Sequence, residues 1–203
     1  MVHVMDPARV QTRRMEILAA ASAVFRERGF HAAGMREIAQ RMGVAVGKLY
    51  YYFDSKEALL AFCQEDCLRR LLDMVAQAEQ SSASPALQLQ AIVRGHVRCL
   101  NSEVPGSLAH LEVESLAPAD RARIMRLRRR YERALQGVLE RGVAAGCLRC
   151  ADLPLATRTL LGAMNWTVKW WRPDGRMGLE ALADGVVEQM LHGLAVSRRK
   201  GAH

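Results

Sequence analysis

Apolar residues recur along most of the chain at the spacing of one face of an α-helix. The first segment with this spacing carries Ile17, Leu18, Ala21, Val24 and Phe25. It predicts a helix over residues 12–28 that ends at Gly29. Alternating β-branched runs bounded by turn residues, which would indicate strands, are almost absent from the sequence. We therefore expect an all-α protein.

Two short segments predict a pair of helices joined by a tight turn. The first carries an apolar face made of Met35, Ile38, Ala39 and Met42. Gly43 ends this helix, because a glycine just past the last periodic residue can adopt the left-handed conformation. The second helix is predicted over residues 46–52. This arrangement is the helix-turn-helix unit, whose second helix normally lies in the DNA major groove.

The rest of the chain contains longer amphipathic segments. They predict helices over residues 56–80, 86–101, 107–116, 120–145, 153–171 and 179–195. Turn-forming stretches separate them, including SSASP at 81–85 and RPDG at 172–175. The helix over 56–80 is expected to connect the helix-turn-helix part to the remainder of the chain.

The second helix of the pair has an unusual aromatic content. Three of the four tyrosines in the chain are consecutive, at positions 50–52. Leu49 and Phe53 are four residues apart and share a face that can pack on the neighbouring helices. Lys48 and the first two tyrosines point elsewhere, where they can reach phosphates or base edges. The alternative is an aromatic stripe in the core, but such a stripe would not place three tyrosines side by side around a helix.

Charge and composition agree with a nucleic-acid partner. The net charge is +8 and the isoelectric point is about 9.7, which suit a phosphate backbone, although many proteins are basic. The sequence contains no run of eighteen apolar residues, so no membrane span is expected. The amino terminus has no apolar signal segment, so a cytoplasmic location is expected.

Cysteines give no sign of a disulfide framework or a metal site. There are five, at positions 63, 67, 99, 147 and 150, an odd number with irregular spacing. Cys147 and Cys150 form a C-x-x-C without a second pair or a nearby histidine cluster. We expect reduced thiols, no metal and no cofactor. A nucleophile elbow and a phosphate-binding glycine loop are also missing from the sequence, so an enzyme is not expected.

The block from about Gln11 to Leu60 resembles the tetracycline-repressor (TetR) family of bacterial transcription regulators. From Arg13 it reads RRMEILAAASAVFRERGFHAAGMREIAQRMGVAVGKLYYYFDSKEALL. The family pattern G-V-S-x-G-x-L-Y-x-Y-F-x-S-K-E-x-L is matched by Gly43, Val44, Gly47, Leu49, Tyr50, Tyr52, Phe53, Ser55, Lys56, Glu57 and Leu59. The resemblance implies an amino-terminal three-helix DNA-binding domain, residues 10–57. It also implies a helical ligand-binding and dimerisation domain, residues 58–203.

The resemblance also implies which residues contact DNA. Tyr50 and Lys56 would hold phosphates, while Arg36, Lys48 and Tyr51 would lie near phosphates or bases. The full predicted set is Arg36, Ala45, Val46, Gly47, Lys48, Tyr50, Tyr51 and Lys56.

Two positions depart from the family pattern. Gly34 and Ala45 stand where a serine or threonine usually caps each of the two short helices. Replacing such a cap by alanine costs about 0.5–2 kcal/mol, and by glycine less. These departures leave open a second interpretation, in which the protein is a ligand-sequestering dimer with weak DNA affinity.

The carboxyl-terminal part carries a second resemblance. All three tryptophans lie within NWTVKWWRPDG, residues 165–175. This stretch is similar to a subgroup of the family that responds to acyl-coenzyme A thioesters in the catabolism of fatty acids, aromatic acids or steroids. Trp166 and Trp170 would then line the effector site, and Arg126 and Arg130 would hold the coenzyme phosphates. The alternatives are that the tryptophans are core or dimer anchors and that the arginines form a solvated face.

These patterns together predict a homodimeric repressor that binds double-stranded DNA. Two recognition helices one helical turn apart read a palindromic operator, and a hydrophobic effector would release them. The family pattern places the dimer contact on the last two helices, whose small residues are Gly162, Ala163, Ala183 and Gly185. These helices carry more apolar surface than one subunit needs, so a charge at Leu182 or Val186 is expected to hurt dimerisation or folding. The alternative effector is an uncharged or aromatic ligand, in a regulator of efflux or detoxification.

Overall fold

The computed structural model describes residues 6–102 and 112–193, which contain eight α-helices and no strand. In chain order they are α1 (Pro7–Arg28), α2 (Met35–Arg41), α3 (Val46–Tyr50), α4 (Lys56–Gln80), α5 (Pro85–Asn101), α6 (Pro118–Ala144), α7 (Leu153–Trp170) and α8 (Leu179–His192). The predicted all-α fold class is confirmed.

Local capping chemistry sets the ends of several helices. The Asp6 carboxylate accepts a hydrogen bond from the Ala8 N–H at 3.0 Å, so α1 begins at Pro7 rather than at the predicted residue 12. The helix ends at Gly29, whose φ of 77° suits glycine. Ser55 caps α4 by accepting from the Ala58 N–H at 3.1 Å.

Three predicted elements differ from the structure. The second helix of the pair ends at Tyr50. The Tyr51 N–H still donates to the carbonyl of Gly47, four residues earlier, whereas the Tyr52 N–H donates to that of Leu49, three residues earlier, as in a turn. Of the helix predicted over 107–116, residues 107–111 lie outside the described residues, and residues 112–116 are a turn. The last helix ends at His192, and residues 194 and 195 lie outside the described residues.

Buried residues form two hydrophobic cores that meet along α4. The head core joins α1, α2 and α3 to the first half of α4 and also takes in Leu116 and Ile124. The body core joins the second half of α4 to α5, α6, α7 and α8. The two cores separate near Leu68 and Leu71. The domain division at residue 57 stays a prediction, with α4 as the element shared by both parts.

Polar contacts also join the head to the body. The Arg26 guanidinium donates to the Ser102 carbonyl at 3.0 Å, across 76 residues of sequence. Arg123 of α6 pairs with Glu65 of α4 at 3.2 Å. Within residues 6–102 and 112–193, no helix is long and apolar enough to cross a membrane.

Candidate DNA-binding surface and effector pocket

The second helix of the pair, α3, is held by one residue and exposes most of the others. Leu49 is 1 % exposed and packs in the head core, as does Phe53. Tyr50 and Tyr51 are 49 % and 68 % exposed, and Lys48 is exposed beside them. The structure therefore places two aromatic hydroxyls and an ammonium on one outward surface, as the sequence predicted.

The remaining predicted DNA contacts lie around this surface. Ala45 and Gly47 are exposed at the start of α3, and Val46 is half-buried against the head core. Arg36 is exposed on α2. Within the described residues neither Arg36 nor Lys48 forms a salt bridge, which leaves both charges available to a ligand. Arg41, by contrast, pairs with Glu27 at 2.5 Å.

The two missing hydroxyl caps are visible as missing hydrogen bonds. Gly34 and Ala45 both have extended backbone at the cap position and make no side-chain cap bond. Both helices form nonetheless, because Ile38, Ala39 and Leu49 anchor them in the head core. Packing therefore offsets the loss of the caps.

Lys56 already has protein partners for its ammonium group. Nζ donates to the carbonyls of Phe30 at 2.9 Å, His31 at 3.3 Å and Ala33 at 3.0 Å, and lies 4.4 Å from the centre of the Phe30 ring. The lysine thus ties the start of α4 to the loop after α1. The phosphate contact of Lys56 stays a prediction, beside a structural role that the sequence did not indicate.

A cavity of about 210 Å³ lies in the body among α4, α5, α6 and α7. Its lining combines apolar and polar side chains, namely Leu68, His96, Met125, Arg128, Arg129, Tyr131, Glu132, Leu161 and Asn165. None of the predicted ligand residues Trp166, Trp170, Arg126 and Arg130 is among them. We call this cavity the effector pocket.

Three polar side chains form a connected group in the wall of the effector pocket. The Nδ1 atom of His96 lies 2.8 Å from the Tyr131 hydroxyl, and Nε2 lies 3.1 Å from Oδ1 of Asn165. Because the amide oxygen can only accept, Nε2 carries the proton and the Tyr131 hydroxyl donates to Nδ1. Burial lowers the pKa of His96 to about 4, so the ring is neutral near pH 7.

The arginines of α6 divide between two sides of the helix. Arg126 and Arg130 are exposed on the side away from the body core. Arg128 lies on the inner side, where burial lowers its pKa, and it donates to the Gln64 side chain on α4 at 3.2 Å. Its spacing from the buried Ile124, four residues earlier, was the sequence signal that would have identified it.

The tryptophans lie away from the effector pocket. Trp166 and Trp170 are 60 % and 54 % exposed and share one face of α7 with Leu155, which is 64 % exposed. Trp171 is half-buried and its indole N–H donates to the Met177 carbonyl at 2.8 Å. In a single chain, Trp166 and Trp170 are thus surface residues, and their contact with a ligand stays a prediction.

The small residues predicted for the dimer contact are similarly divided. Gly162 and Gly185 are exposed, and a Cβ added to either would meet no atom within 4 Å. Ala183 and Leu182 are 0 % and 2 % exposed and pack in the body core of their own chain. The expectation that Ala183 lies at the contact with a partner subunit was therefore wrong, because the phase of α8 turns it inward. For Leu182, the burial favours a role in folding.

Comparisons with known proteins agree with this architecture. Residues 82–194 match the model of the tetracyclin repressor-like C-terminal domain, and residues 17–62 match that of bacterial regulatory proteins, tetR family. The transcriptional repressor KstR2 of Rhodococcus jostii (strain RHA1) is 30% identical over 90% of this chain and 91% of its own length. The fatty acid metabolism regulator protein of Bacillus subtilis (strain 168) is 26% identical over 89% of this chain and 94% of its own.

Solved structures extend the likeness to three dimensions. The regulator PfmR from Thermus thermophilus has a TM-score of 0.79 at 32% identity, covering 89% of this chain and 99% of that one. AibR in complex with isovaleryl coenzyme A and operator DNA has a TM-score of 0.73 at 27% identity, covering 89% of this chain and 98% of that one.

Proposed function

Because the chain belongs to the TetR family of transcriptional regulators, which bind operator DNA as dimers and respond to small effectors, we propose that its effector is an acyl-coenzyme A thioester. Binding of the thioester in the body would release the dimer from a palindromic operator, so the protein acts as a repressor in the cytoplasm. The observation that carries the proposal is the effector pocket, which lies against α4, the helix shared with the head.

The named relatives favour this class of effector. One is a fatty acid metabolism regulator, one is KstR2, described as a ketosteroid transcriptional regulator, and one was solved with isovaleryl coenzyme A and operator DNA. All three resemble this chain along most of its length. Of these three, AibR is described with a bound effector, which is a coenzyme A thioester, and the other two are described as regulators of fatty acid metabolism and of ketosteroids. This pattern favours a thioester effector here.

The size of the effector pocket suits part of such a ligand. At about 210 Å³ it is smaller than the roughly 300–1,000 Å³ of a pocket for a drug-sized molecule. A short acyl group fits this space, while the coenzyme portion must remain outside. Arg129 lies at the exposed edge of the pocket, and Arg126 and Arg130 continue the positive surface of α6. We propose that this surface holds the phosphates.

The polar wall suits a neutral acyl carbonyl. Asn165 uses its amide oxygen for His96, and its amino group is a donor for a thioester oxygen. His96 is neutral because burial lowers its pKa to about 4, so it adds no charge to the pocket. We propose that Asn165 orients the thioester and that Leu68, Met125 and Leu161 contact the acyl chain.

On the DNA side, the outward surface of α2 and α3 supports the predicted contacts. We propose that α3 enters the major groove, with Tyr51 near base edges, and that Lys48, Tyr50 and Arg36 contact phosphates. The start of α3, residues 45–47, would lie closest to the backbone. Operator recognition by two such surfaces requires a dimer, and the exposed face of α7 is the proposed contact, with Trp166 and Trp170 as its anchors.

A panel of thioesters and their free acids tests the effector. Labelled genomic fragments selected by the protein serve as operator probes, and release is followed by fluorescence anisotropy. Some thioesters should release DNA, while the matching free acids, which lack the coenzyme phosphates, should not. Asn165→Leu should weaken release at least about tenfold, because the amide donor is lost. Arg130→Ala should weaken it by a smaller factor, and neither variant should change DNA affinity without effector.

Two results would contradict the proposal. Release of DNA by free acids at the same concentrations as thioesters would show that the protein does not recognise the coenzyme part of the ligand. Release by uncharged aromatic compounds alone would indicate a regulator of efflux or detoxification.

A further inference from the structure

Two thiols from neighbouring helices meet in the body core. Cys67 of α4 and Cys99 of α5 have their sulfur atoms 3.8 Å apart. Cys67 is fully buried, and Cys99 is half-buried and reachable from solvent. A disulfide needs a sulfur separation of about 2.05 Å, so the two sulfurs must approach each other further before the bond can form.

The two sulfurs have different chemical characters. The hydrogen bond from the Cys67 thiol lowers the pKa of Cys99, against the opposing effect of burial, and the nearby Arg70 guanidinium lowers it further. The same hydrogen bond and burial raise the pKa of Cys67. Cys99 is therefore the better nucleophile and the more accessible one. Cys63, one turn before Cys67 on α4, is also buried, and burial raises its pKa.

We propose that Cys67 and Cys99 are a redox modification site that a hydroperoxide oxidises to a reversible disulfide. The Cys99 thiolate attacks the peroxide oxygen, which breaks the O–O bond and gives a sulfenic acid and hydroxide. The Cys67 sulfur then attacks the Cys99 sulfur, forming the S–S bond and expelling the sulfenic oxygen, which leaves as water with the remaining proton. In total two thiols and hydrogen peroxide give one disulfide and two waters, and the sulfurs lose two electrons.

The position of the pair gives the disulfide a consequence. Leu68, next to Cys67, and His96, one turn before Cys99, both line the effector pocket. The bond would fix α4 to α5 beside that pocket, and α4 is the helix that both cores share. This consequence rests on the proposed function: the oxidised protein keeps DNA bound at effector concentrations that release the reduced protein.

Disulfide formation is tested first, without DNA or effector. A C147S/C150S background removes the exposed C-x-x-C and leaves Cys63, Cys67 and Cys99. After peroxide treatment, intact mass should fall by two hydrogens and peptide mapping should find Cys67 joined to Cys99. The melting temperature should rise by about 5–10 °C, because the bond restricts the unfolded chain, and dithiothreitol should reverse the change. Adding C99S should abolish the mass loss, the Cys67–Cys99 link and the rise in melting temperature. The matched change C63S should preserve all of them.

The effector response is tested second. Oxidised protein should require at least about tenfold more thioester for half-release of DNA than reduced protein, and the C99S variant should show no such difference. If Cys63, Cys67 and Cys99 can all still be alkylated after peroxide treatment, no disulfide has formed and the proposed site is wrong. An unchanged thioester response in protein with the mapped disulfide would overturn the coupling to α4. Failure of every thioester to release DNA would contradict the proposed function, while the mapping still decides the disulfide.

Discussion

Single side chains in this protein combine structural and binding roles that the sequence does not distinguish. Lys48 and Lys56 lie eight residues apart and both belong to the predicted set of DNA contacts. Lys48 is exposed, whereas the ammonium of Lys56 satisfies carbonyls of the loop after α1. Their substitution should therefore have different effects.

Lys48→Ala should reduce the dependence of log K on log salt by about 0.9, the value of one phosphate contact, without changing the melting temperature. Lys56→Ala should cost about 1–3 kcal/mol of unfolding free energy, because the half-buried carbonyls of Phe30 and Ala33 lose their donor. Thermal melts and DNA titrations at several salt concentrations measure both. An unchanged melting temperature for Lys56→Ala, with weakened DNA binding, would assign that lysine to phosphate contact alone.

The buried side chain of His96 makes the stability of the fold depend on pH. Its pKa is about 4 in the folded chain and 6.5 in an unfolded one, so the unfolded state binds a proton first as the pH falls. The resulting stability is complete above pH 6.5 and declines toward pH 4. From this group alone, the free energy of unfolding should be about 2 kcal/mol lower at about pH 5 than at about pH 7.5.

Urea unfolding at the two pH values tests this expectation. At the higher pH, His96→Gln should be less stable than the original protein. The loss of about 2 kcal/mol between the two pH values should be absent from the variant. An equal pH dependence in the variant and the original protein would show that His96 is not the titrating group.

At the scale of helices, α7 and α8 each carry an inner and an outer side. The outer side of α7 presents Leu155, Trp166 and Trp170 at 64 %, 60 % and 54 % exposure. Large apolar side chains aligned on one helix face are typical of a protein contact. Leu182 of α8 belongs instead to the body core.

Leu155→Glu should dissociate the dimer while preserving helical content, because the charge is placed on a surface that only a partner subunit covers. Leu182→Glu should unfold the body, because it buries a charge inside one chain. Sedimentation velocity at micromolar concentration and circular dichroism separate the two outcomes. A Leu155→Glu protein that stays dimeric would place the contact elsewhere.

At the scale of the whole molecule, α4 contributes to the core under the DNA surface and to the core beside the effector pocket, so we expect it to couple the two. If a thioester weakens operator binding by a given factor, thermodynamic linkage requires that the operator weaken thioester binding by the same factor. Calorimetric titration of the thioester with and without saturating operator gives a ratio of two thioester dissociation constants. This ratio should equal the ratio of the operator dissociation constants measured with and without thioester. Unequal ratios would mean that the thioester acts outside the free and DNA-bound dimer.

Local sequence was enough to specify the helices, the helix-turn-helix and the family. These features depend on short-range spacing, such as the periodic apolar positions of α2 and the glycine at 43 with a φ of 65°. The same local pattern identified Lys48, Tyr50 and Tyr51, because a short helix anchored by Leu49 must expose its other side. The exposure of these three side chains was therefore predictable from the sequence, and their contact with DNA stays a prediction.

The composition of the effector pocket, by contrast, depends on how distant helices pack. His96, Tyr131 and Asn165 come from three helices, and no spacing within one helix reveals that they meet. Arg126, Arg130, Trp166 and Trp170, which stand out in the sequence, lie instead on outer faces, since the phase of α6 and α7 is set by packing on α4 and α5. The pairing of Cys67 with Cys99 has the same origin, because their sulfurs meet only through the packing of α4 on α5.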